Sequence, residues 1–190
     1  MVDVSDRWSA KAGSSVHRER FRTRALTPAD EAGIRAIARQ TEGFTVPSAY
    51  IIWMLSRTQE NLCRVVSNGD NSLLGYCLAL ACSCREEAFL WQIGVSGGGL
   101  KTKIVVMQSL LDACVEQARR IGIRRGFFTA LPVRISYLNR CLRGSGCSEA
   151  CEVAEHNAPL YVPTPGEKLY RTTLPEVVPI SGGGAGATPA

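Results

Sequence analysis

The chain has 190 residues, of which 45% are hydrophobic and 21% charged. A chain of this length can bury the core of one domain, and none of its apolar runs reaches the roughly 20 residues of a membrane span. The formal charge of +5 favours an anionic ligand, but the basic residues form no stripe interleaved with aromatic side chains, so the sequence does not indicate a nucleic-acid or membrane partner.

Both ends of the chain are predicted to lie outside the folded domain. Residues 1–19 are polar and lack the hydrophobic centre of a secretory signal, and residues 176–190 are rich in Gly and Pro. We therefore expect a disordered basic N-terminal segment over 1–19, one domain over 20–175 and a disordered tail over 176–190. We also expect a cytoplasmic protein.

The eight cysteines do not indicate a metal site. The two close pairs have the spacings C-x-C and C-x-x-x-C, rather than the two-residue gap of a zinc knuckle, and the chain has only two histidines. Cys63, Cys77 and Cys114 sit in apolar stretches, where a free thiol packs as a small core residue. We expect structural thiols in a reducing compartment, in preference to a metal site or a disulfide framework.

The first half of the chain predicts two helices and several antiparallel strands. Thr27 is a good N-cap for a helix that begins at Pro28, and PSAYIIWMLSRT (47–58) predicts a second, shorter helix. The turn sequence NGDN predicts a hairpin. The strand-like segments of this half cover residues 21–26, 62–66, 72–82 and 87–95.

The second half contains the clearest helix, predicted over 104–121 from apolar residues that recur at spacings of three and four. Gly122 ends it. A strand over 123–131, a helix over about 135–143 and a closing strand over 169–174 follow. Antiparallel strands followed by one strand–helix–strand crossover predict an α/β fold with a mixed, mostly antiparallel sheet of six to seven strands and about four helices.

A glycine-rich loop, SGGG, separates the strand over 87–95 from the long helix. Backbone N–H groups at the start of a helix bind anions, and glycine allows the ligand to approach the backbone closely. Gly97, Gly98 and Gly99 supply that freedom, and Lys101 and Lys103 supply positive charge. Taken alone, such a loop is more often a flexible turn than a phosphate site.

From about Phe21 to Leu174 the chain resembles the GNAT superfamily of acyl-CoA-dependent N-acyltransferases. The segments RTRALTPADEAGIRAIA, FLWQIGV and LLDACVEQARRIGIRRGFF carry this likeness. Within the superfamily, FTVPSAYIIWML, FLWQ, TALPVRIS and EKLYRTTLP are similar to the diaminobutyrate acetyltransferases of ectoine biosynthesis.

The resemblance implies the GNAT fold, acetyl-CoA as acyl donor and transfer of the acetyl group to the amino group of a small amino acid or diamino acid. In this superfamily the central strand separates from its neighbour at a bulge, and its backbone binds the pantetheine arm. The matching positions are Gln92, Ile93, Gly94 and Val95. The N–H of Ile93 or Val95 would then polarise the thioester carbonyl for direct attack by the amine.

The pyrophosphate would rest on Gly97, Gly98 and Gly99, with Lys101 and Lys103. The superfamily motif Arg/Gln-x-x-Gly-x-Gly/Ala is not reproduced, because the glycines and cations are displaced along the chain. Either the loop is remodelled around the cofactor or cofactor binding is weakened.

The resemblance also implies acceptor-binding and catalytic residues. Thr45 stands where the diaminobutyrate enzymes have Asp, and Arg134 stands where they have Asn, so an acid is lost and a cation gained. These changes favour a less cationic acceptor, with its carboxylate facing Arg134. The implied acceptor-binding residues are Thr45, Ser48, Tyr50, Trp91, Arg134 and Glu167. Glu87 is the candidate base, and Tyr137 is the candidate acid for the leaving thiolate.

Two alternatives remain open at this stage. A GNAT fold without catalytic activity could serve as a binding protein, or the enzyme could use another acyl donor or a carrier-bound or peptide amine. The expected partners are acetyl-CoA and a small-molecule amine, and the family analogy suggests a homodimer.

Overall fold

Seven β-strands and four α-helices make up the part of the chain described by the computed structural model, residues 21–59, 62–82, 86–153 and 166–176. The segment predicted to be disordered over 1–19 lies outside these ranges, as does the predicted tail beyond Glu176. The strands are β1 (Arg22–Ala25), β2 (Arg64–Ser67), β3 (Leu73–Cys82), β4 (Glu87–Val95), β5 (Arg125–Ala130), β6 (Cys151–Glu152) and β7 (Lys168–Thr173). The helices are α1 (Glu31–Gln40), α2 (Ala49–Thr58), α3 (Leu100–Arg120) and α4 (Ile135–Gly144).

The strands form one sheet in the order β1-β2-β3-β4-β5-β7-β6. Every neighbouring pair is antiparallel except β4 and β5, which are parallel. Parallel strands need a crossover connection, and α3 provides it. The mixed, mostly antiparallel α/β sheet predicted from the sequence is therefore confirmed.

The helices cover both faces of the sheet. On one face, Ile34 of α1 and Ile52 of α2 pack with Tyr76 of β3 in a buried cluster. On the other face, Leu110 of α3 packs with Cys77 of the same strand. Successive strand residues point to opposite faces, so adjacent positions of β3 contribute to the two cores.

The long helix differs from the prediction at its start. α3 begins at Leu100, four residues before the predicted Ile104, with Gly99 at its N-cap. Lys101 and Lys103 therefore belong to the first turn of the helix rather than to the loop. The loop between β4 and α3 is correspondingly short, running from Ser96 to Gly99.

The face that α3 buries only partly matches the predicted apolar stripe, whose members Leu111 and Ala118 are buried. The predicted stripe consists of Ile104, Met107, Leu111, Cys114, Ala118 and Ile121. Ile104 and Ile121, which fit the predicted apolar stripe, are 38% and 48% exposed. The adjacent apolar residues in IVVM and SLL allow two stripes at helical spacing, so periodicity alone did not distinguish them. The buried residues of α3 are Val106, Leu110, Leu111, Val115 and Ala118.

Two glycines allow close packing at the centre of the sheet. A Cβ added to Gly75 would lie 2.7 Å from Val106 Cγ1 and 2.9 Å from the carbonyl oxygen of Gly94. A Cβ added to Gly94 would lie 2.6 Å from Cε1 of Tyr76. Both distances are shorter than side-chain contacts allow. The absence of a Cβ therefore lets α3 approach β3 and lets the Tyr76 ring lie over β4.

The six cysteines whose side chains are described are free thiols. Cys63 and Cys77 are fully buried, as expected for small core residues, whereas Cys114 is partly exposed and shares a hydrogen bond with Cys77. Within the described ranges no group of three or more His, Cys, Asp or Glu side chains is placed to hold a metal ion. The same ranges contain no helix long and apolar enough to cross a bilayer.

Candidate active site

β4 and β5 run side by side over only the first four residues of each strand. Glu87 to Leu90 pair with Arg125 to Phe128, and no later pair joins the two strands within the described ranges. Beyond this point β4 continues along β3, whereas β5 continues along β7. The two strands diverge and leave a wedge at their carboxyl ends. In α/β sheets, ligands bind in crevices of this kind.

A β-bulge at Trp91 lies where the strands separate. Leu78 of β3 pairs with Gln92, and Ala79 pairs with Leu90, so Trp91 is the extra residue of β4. Trp91 packs against the cluster under α1 and α2, and Gln92 bonds the loop between these helices. The bulge therefore places two consecutive side chains on the same face of the sheet.

The backbone edge of β4 that faces the wedge carries two candidate donors. Ser96 donates its N–H to the carbonyl oxygen of Leu74 at 2.8 Å, so the Ser96 amide points towards β3. Backbone groups alternate in direction along a strand, so the N–H groups of Val95 and Ile93 point away from β3, into the wedge. These are the two amides predicted to polarise a carbonyl oxygen.

A cavity of about 380 Å³ fills the wedge. Its walls come from β4, from the end of β5 and the turn after it, from α3 and α4, and from residues 43–45 between α1 and α2. The apolar lining includes Phe44, Leu90, Met107, Phe128, Leu131 and Leu138. The polar lining includes Thr45, Gln92, Arg134, Tyr137 and Glu167.

The side chain of Gln92 is buried and makes two hydrogen bonds within the protein. Its Oε1 accepts a hydrogen bond from the Tyr76 hydroxyl at 2.6 Å. Its Nε2 donates to the carbonyl oxygen of Thr45 at 3.0 Å. The side chain thus joins β3, β4 and the loop between α1 and α2.

Tyr137 projects from α4 into the cavity lining. Burial raises the pKa of Tyr137 to about 12, and a hydrogen bond with Cys141, one turn later, acts in the same direction. The hydroxyl therefore stays protonated near neutral pH and has a proton to donate. The resemblance to the superfamily puts Cys141 or Leu142 at the position of its usual tyrosine, and both residues are buried.

Arg134 and Glu167 bring one positive and one negative charge to the same cavity. Arg134 closes the short 3-10 turn Pro132–Arg134 just before α4, and its side chain is exposed. Glu167 directly precedes β7 and is partly buried. Together with Trp91 and Thr45, they are the predicted acceptor-binding residues that the fold brings together.

The amino end of α3 lies next to the wedge. Lys103 N–H donates to the carbonyl oxygen of Gly99 at 3.1 Å and closes the first helical turn. The amides of residues 100–102 precede this bond and have no partner within the helix. Gly98 has a φ of +111°, which favours glycine, and Lys101 and Lys103 are exposed beside these amides. The arrangement suits an anion.

Three of the predicted catalytic and acceptor-binding residues lie away from the cavity lining. Glu87 is at the paired end of β4, in an ion pair with Arg125 at 3.0 Å. Ser48 caps α2, because its Oγ accepts a hydrogen bond from the N–H of Ile51 at 3.2 Å. Tyr50 is 68% exposed and stacks on Trp53, with 6.1 Å between ring centroids.

The sequence analysis did not assign several residues of the cavity wall. Phe44 directly precedes the assigned Thr45, and Phe128 and Leu131 belong to β5 and the turn after it. Met107 of α3 also lines the cavity. The signal that could have found Phe128 and Leu131 is their position near the carboxyl end of the parallel partner of β4.

No protein-family model and no curated protein sequence matches the chain. Several solved structures are nevertheless similar in fold. The diaminobutyrate acetyltransferase of Paenibacillus lautus, solved with L-2,4-diaminobutyric acid and coenzyme A, has a TM-score of 0.59 at 16% identity, over 82% of this chain and 96% of that one.

Two further neighbours are proteins with other names. Ard1 of Thermoplasma volcanium has a TM-score of 0.62 at 18% identity, over 82% of this chain and 99% of that one. The ribosomal-protein-S18-alanine N-acetyltransferase of Escherichia coli has a TM-score of 0.60 at 13% identity, over 85% of this chain and 97% of that one. The GNAT fold expected from the sequence is therefore confirmed.

Proposed function

We propose that the protein is an acetyl-CoA-dependent N-acetyltransferase that acts on the amino group of a small amino acid or diamino acid similar to 2,4-diaminobutyrate. The observation that carries this proposal is the wedge between β4 and β5. It combines a cavity of about 380 Å³ with two inward-facing backbone amides at its edge and a helix N-terminus beside it.

The donor is assigned to the side of the cavity formed by β4 and α3. The backbone of Gln92, Ile93, Gly94 and Val95 is the assigned contact for the pantetheine arm. The pyrophosphate is assigned to the amides at the start of α3, with Gly97, Gly98 and Gly99 in the loop and Lys101 and Lys103 on the first turn. Exposed lysines beside free helix amides support this assignment.

The acceptor is assigned to the side lined by Thr45, Trp91, Arg134 and Glu167. Arg134 would bind a carboxylate, and Glu167 would hold the ammonium group and take its proton. An acceptor with one carboxylate and at least one amino group satisfies both charges. This matches the chemical class of the diaminobutyric acid that the Paenibacillus lautus enzyme binds.

The reaction needs no covalent enzyme intermediate. The free amine forms a bond to the thioester carbonyl carbon, and the N–H of Ile93 or Val95 stabilises the negative oxygen of the tetrahedral intermediate. The carbon–sulfur bond then breaks, and the hydroxyl of Tyr137 gives its proton to the leaving thiolate. The acylated nitrogen loses its extra proton to the Tyr137 phenolate, directly or through solvent, which leaves a neutral amide and restores the tyrosine. Glu87 lies at the paired end of β4, so its position does not support the predicted role as base.

A second candidate is transfer to the amine of a peptide or protein. The Escherichia coli neighbour is named for a ribosomal-protein alanine, and it covers as much of this chain as the diaminobutyrate enzyme does. The exposed stacked pair Tyr50 and Trp53 on α2 offers a surface beyond a small-molecule site.

The test is a mixture of the protein with acetyl-CoA and a panel of amino acids, diamino acids and short peptides, with acetylated product followed by mass spectrometry. Product from one amino acid supports the proposal, and product from peptides alone favours the second candidate. No product, together with no thermal shift from acetyl-CoA, would contradict both and favour a fold without catalytic activity. The Arg134→Ala variant should lose turnover of carboxylate-bearing amines but retain the acetyl-CoA shift.

We also propose a homodimer, on the family analogy alone. The mass of the protein in solution, measured by light scattering, tests it directly. A monomer at all accessible concentrations would contradict it.

A further inference from the structure

We propose that Gln92 is a positioning residue whose side chain, oriented by Tyr76, holds residues 43–45 against β4 and so fixes the acceptor side of the cavity. This inference rests on the proposed function, because it gives the loop a role in binding the acceptor. It concerns the side chain of Gln92, whereas the donor is assigned to the backbone of the same residue.

The direction of the Gln92 amide is determined by its two partners. The carbonyl oxygen of Thr45 can only accept a hydrogen bond, so the amide nitrogen must face it, at 3.0 Å. The amide oxygen then faces the Tyr76 hydroxyl at 2.6 Å, which must donate. A reversed amide would place two acceptors against each other at Thr45.

Tyr76 is a rigid support for this arrangement. It is fully buried, and its ring lies over Gly94, where a Cβ would come within 2.6 Å of it. Burial also holds the pKa of Tyr76 well above its ordinary value, so the hydroxyl remains a donor. The support therefore persists at neutral pH.

The loop itself is also held by a hydrogen bond from the Phe44 N–H to the carbonyl oxygen of Thr41 at 3.2 Å, and by packing of Val46 against the cluster under α1 and α2. Gly43, Phe44 and Thr45 are consecutive lining residues, and Gly43 adopts a φ of +79°. On the far side, Pro47 is fully buried, so the loop is anchored there by packing. The bond from Gln92 joins the lining part of the loop directly to β4, opposite the wedge.

The Trp91 bulge makes this contact geometrically accessible. Without the extra residue, Gln92 would share the face of Leu90, towards α3, and could not reach the loop between α1 and α2. The same bulge thus opens the wedge and directs the residue that fixes its wall.

The experiment uses Gln92→Glu, which keeps an oxygen for the Tyr76 hydroxyl but removes the donor to Thr45. Gln59→Glu is the matched control. Gln59 is the C-cap of α2, and its Oε1 accepts a hydrogen bond from the N–H of Ala81 at 3.0 Å, an oxygen that Glu keeps. Tyr76→Phe is the second variant. It preserves the buried ring and removes the hydroxyl that orients the amide.

Two quantities are measured on the full chain. Hydrogen exchange of the free protein reports the loop, and we expect the amides of residues 42–46 to exchange about five- to tenfold faster in Gln92→Glu, with those of β3 unchanged. Steady-state assays use L-2,4-diaminobutyrate, or the panel amine that yields most product. We expect KM for that amine to rise about tenfold, with KM for acetyl-CoA within about twofold of wild type.

Tyr76→Phe should shift both quantities in the same direction and by less. Unchanged loop exchange in Gln92→Glu, or an equal rise in both KM values, would overturn the proposal. Failure of the wild-type protein to acetylate any panel amine would instead overturn the proposed function, and the exchange measurement would still decide whether Gln92 holds the loop.

Discussion

Asp30 shows how a single buried carboxylate organises the start of the fold. Its oxygens accept hydrogen bonds from both terminal nitrogens of Arg24, at 2.6 and 2.7 Å, and from the backbone N–H and hydroxyl of Thr27, both at 2.8 Å. Burial alone would raise the pKa of Asp30, but the bonds from Arg24 and Thr27 outweigh it and lower the pKa. The ionised form therefore stabilises the link between β1 and the turn before α1.

We expect Asp30→Asn to lower the free energy of unfolding by about 2 kcal/mol near neutral pH, because it removes charge-assisted hydrogen bonds at a buried site. The pKa is lower in the folded state. The stabilisation is therefore complete above the ordinary carboxyl pKa and is lost as the pH falls through the folded value. Urea unfolding of both proteins at neutral pH and near pH 2 checks this. A difference that stays the same at both pH values would contradict it.

Tyr137 carries the corresponding prediction for the proposed chemistry. Tyr137→Phe removes the hydroxyl assigned to protonate the leaving thiolate, so we expect kcat to fall about a hundredfold with KM for acetyl-CoA within about twofold. Because burial raises the pKa of Tyr137 to about 12, its titration should leave no limb in the wild-type rate profile near neutral pH. Ser136→Ala, on the exposed side of α4, is the control. An unchanged kcat in Tyr137→Phe would remove this residue from the mechanism.

Position-by-position comparison with the family's motifs predicted only part of the candidate site. It identified Trp91 and Arg134, which line the cavity. It could not distinguish a cavity wall from a helix cap at Ser48, or from an exposed aromatic stack at Tyr50. The position of a residue on a strand also does not reveal where the neighbouring strand diverges. That point determines the surroundings of Glu87.

Among the structural elements, the contact between α3 and β3 depends on the small size of Gly75. We expect Gly75→Ala to lower the free energy of unfolding by about 1–3 kcal/mol, since the new methyl group would meet both Val106 and the backbone of Gly94. Gly69→Ala is the matched control, because no atom lies within 4 Å of the added Cβ. Thermal unfolding of both variants checks the difference. Equal stability of the two variants would show that α3 can move to accommodate the methyl group without loss of stability.

The first turn of α3 carries the prediction for donor binding. We expect Lys101→Glu and Lys103→Glu each to weaken coenzyme A binding about tenfold, because each reverses a charge beside the helix amides. Titration calorimetry at two salt concentrations checks this, since screening should reduce the difference at high salt. Arg171→Glu, the same charge reversal on β7, is the control. Unchanged affinity in both lysine variants would mean that the loop does not hold the phosphates.

Elements with one strong local signal were predictable, and those with ambiguous signals were not. The bounds of β4, Glu87–Val95, are confirmed because Gly and polar residues flank a clear run of strand formers. The burial of α3 was misjudged because adjacent apolar residues permit two stripes. The position of the bulge at Trp91 could not be derived, because no glycine or proline marks it.

For the whole molecule, we expect a chain of residues 20–176 to fold as the full chain does. Its melting temperature should lie within about 2 °C of the full chain's, with the same shift from acetyl-CoA. The sequence analysis ended the domain at 175, but Arg119 donates to the carbonyl oxygen of Glu176 at 2.6 Å, so the test keeps that residue. A large loss of stability would mean that the end segments contribute to the fold.

The overall fold was predictable because it depends on the order and spacing of elements, and solved structures only 13–18% identical share it. The identity of the acceptor was not predictable, since it depends on a few side chains from distant parts of the chain. Thr45, Arg134 and Glu167 meet at one cavity only after the sheet has formed.

The short ladder between β4 and β5 has a consequence for how the native state holds together. β1 to β4 form one continuous antiparallel block and β5 to β7 form another. Within the sheet they are joined by the four paired residues at the start of β4 and β5, and a buried cluster that includes Leu62, Ala79, Phe128 and Tyr170 packs across that joint. The opposite end of the joint is left open at the wedge, so a ligand lying there would contact both blocks and oppose their separation during unfolding.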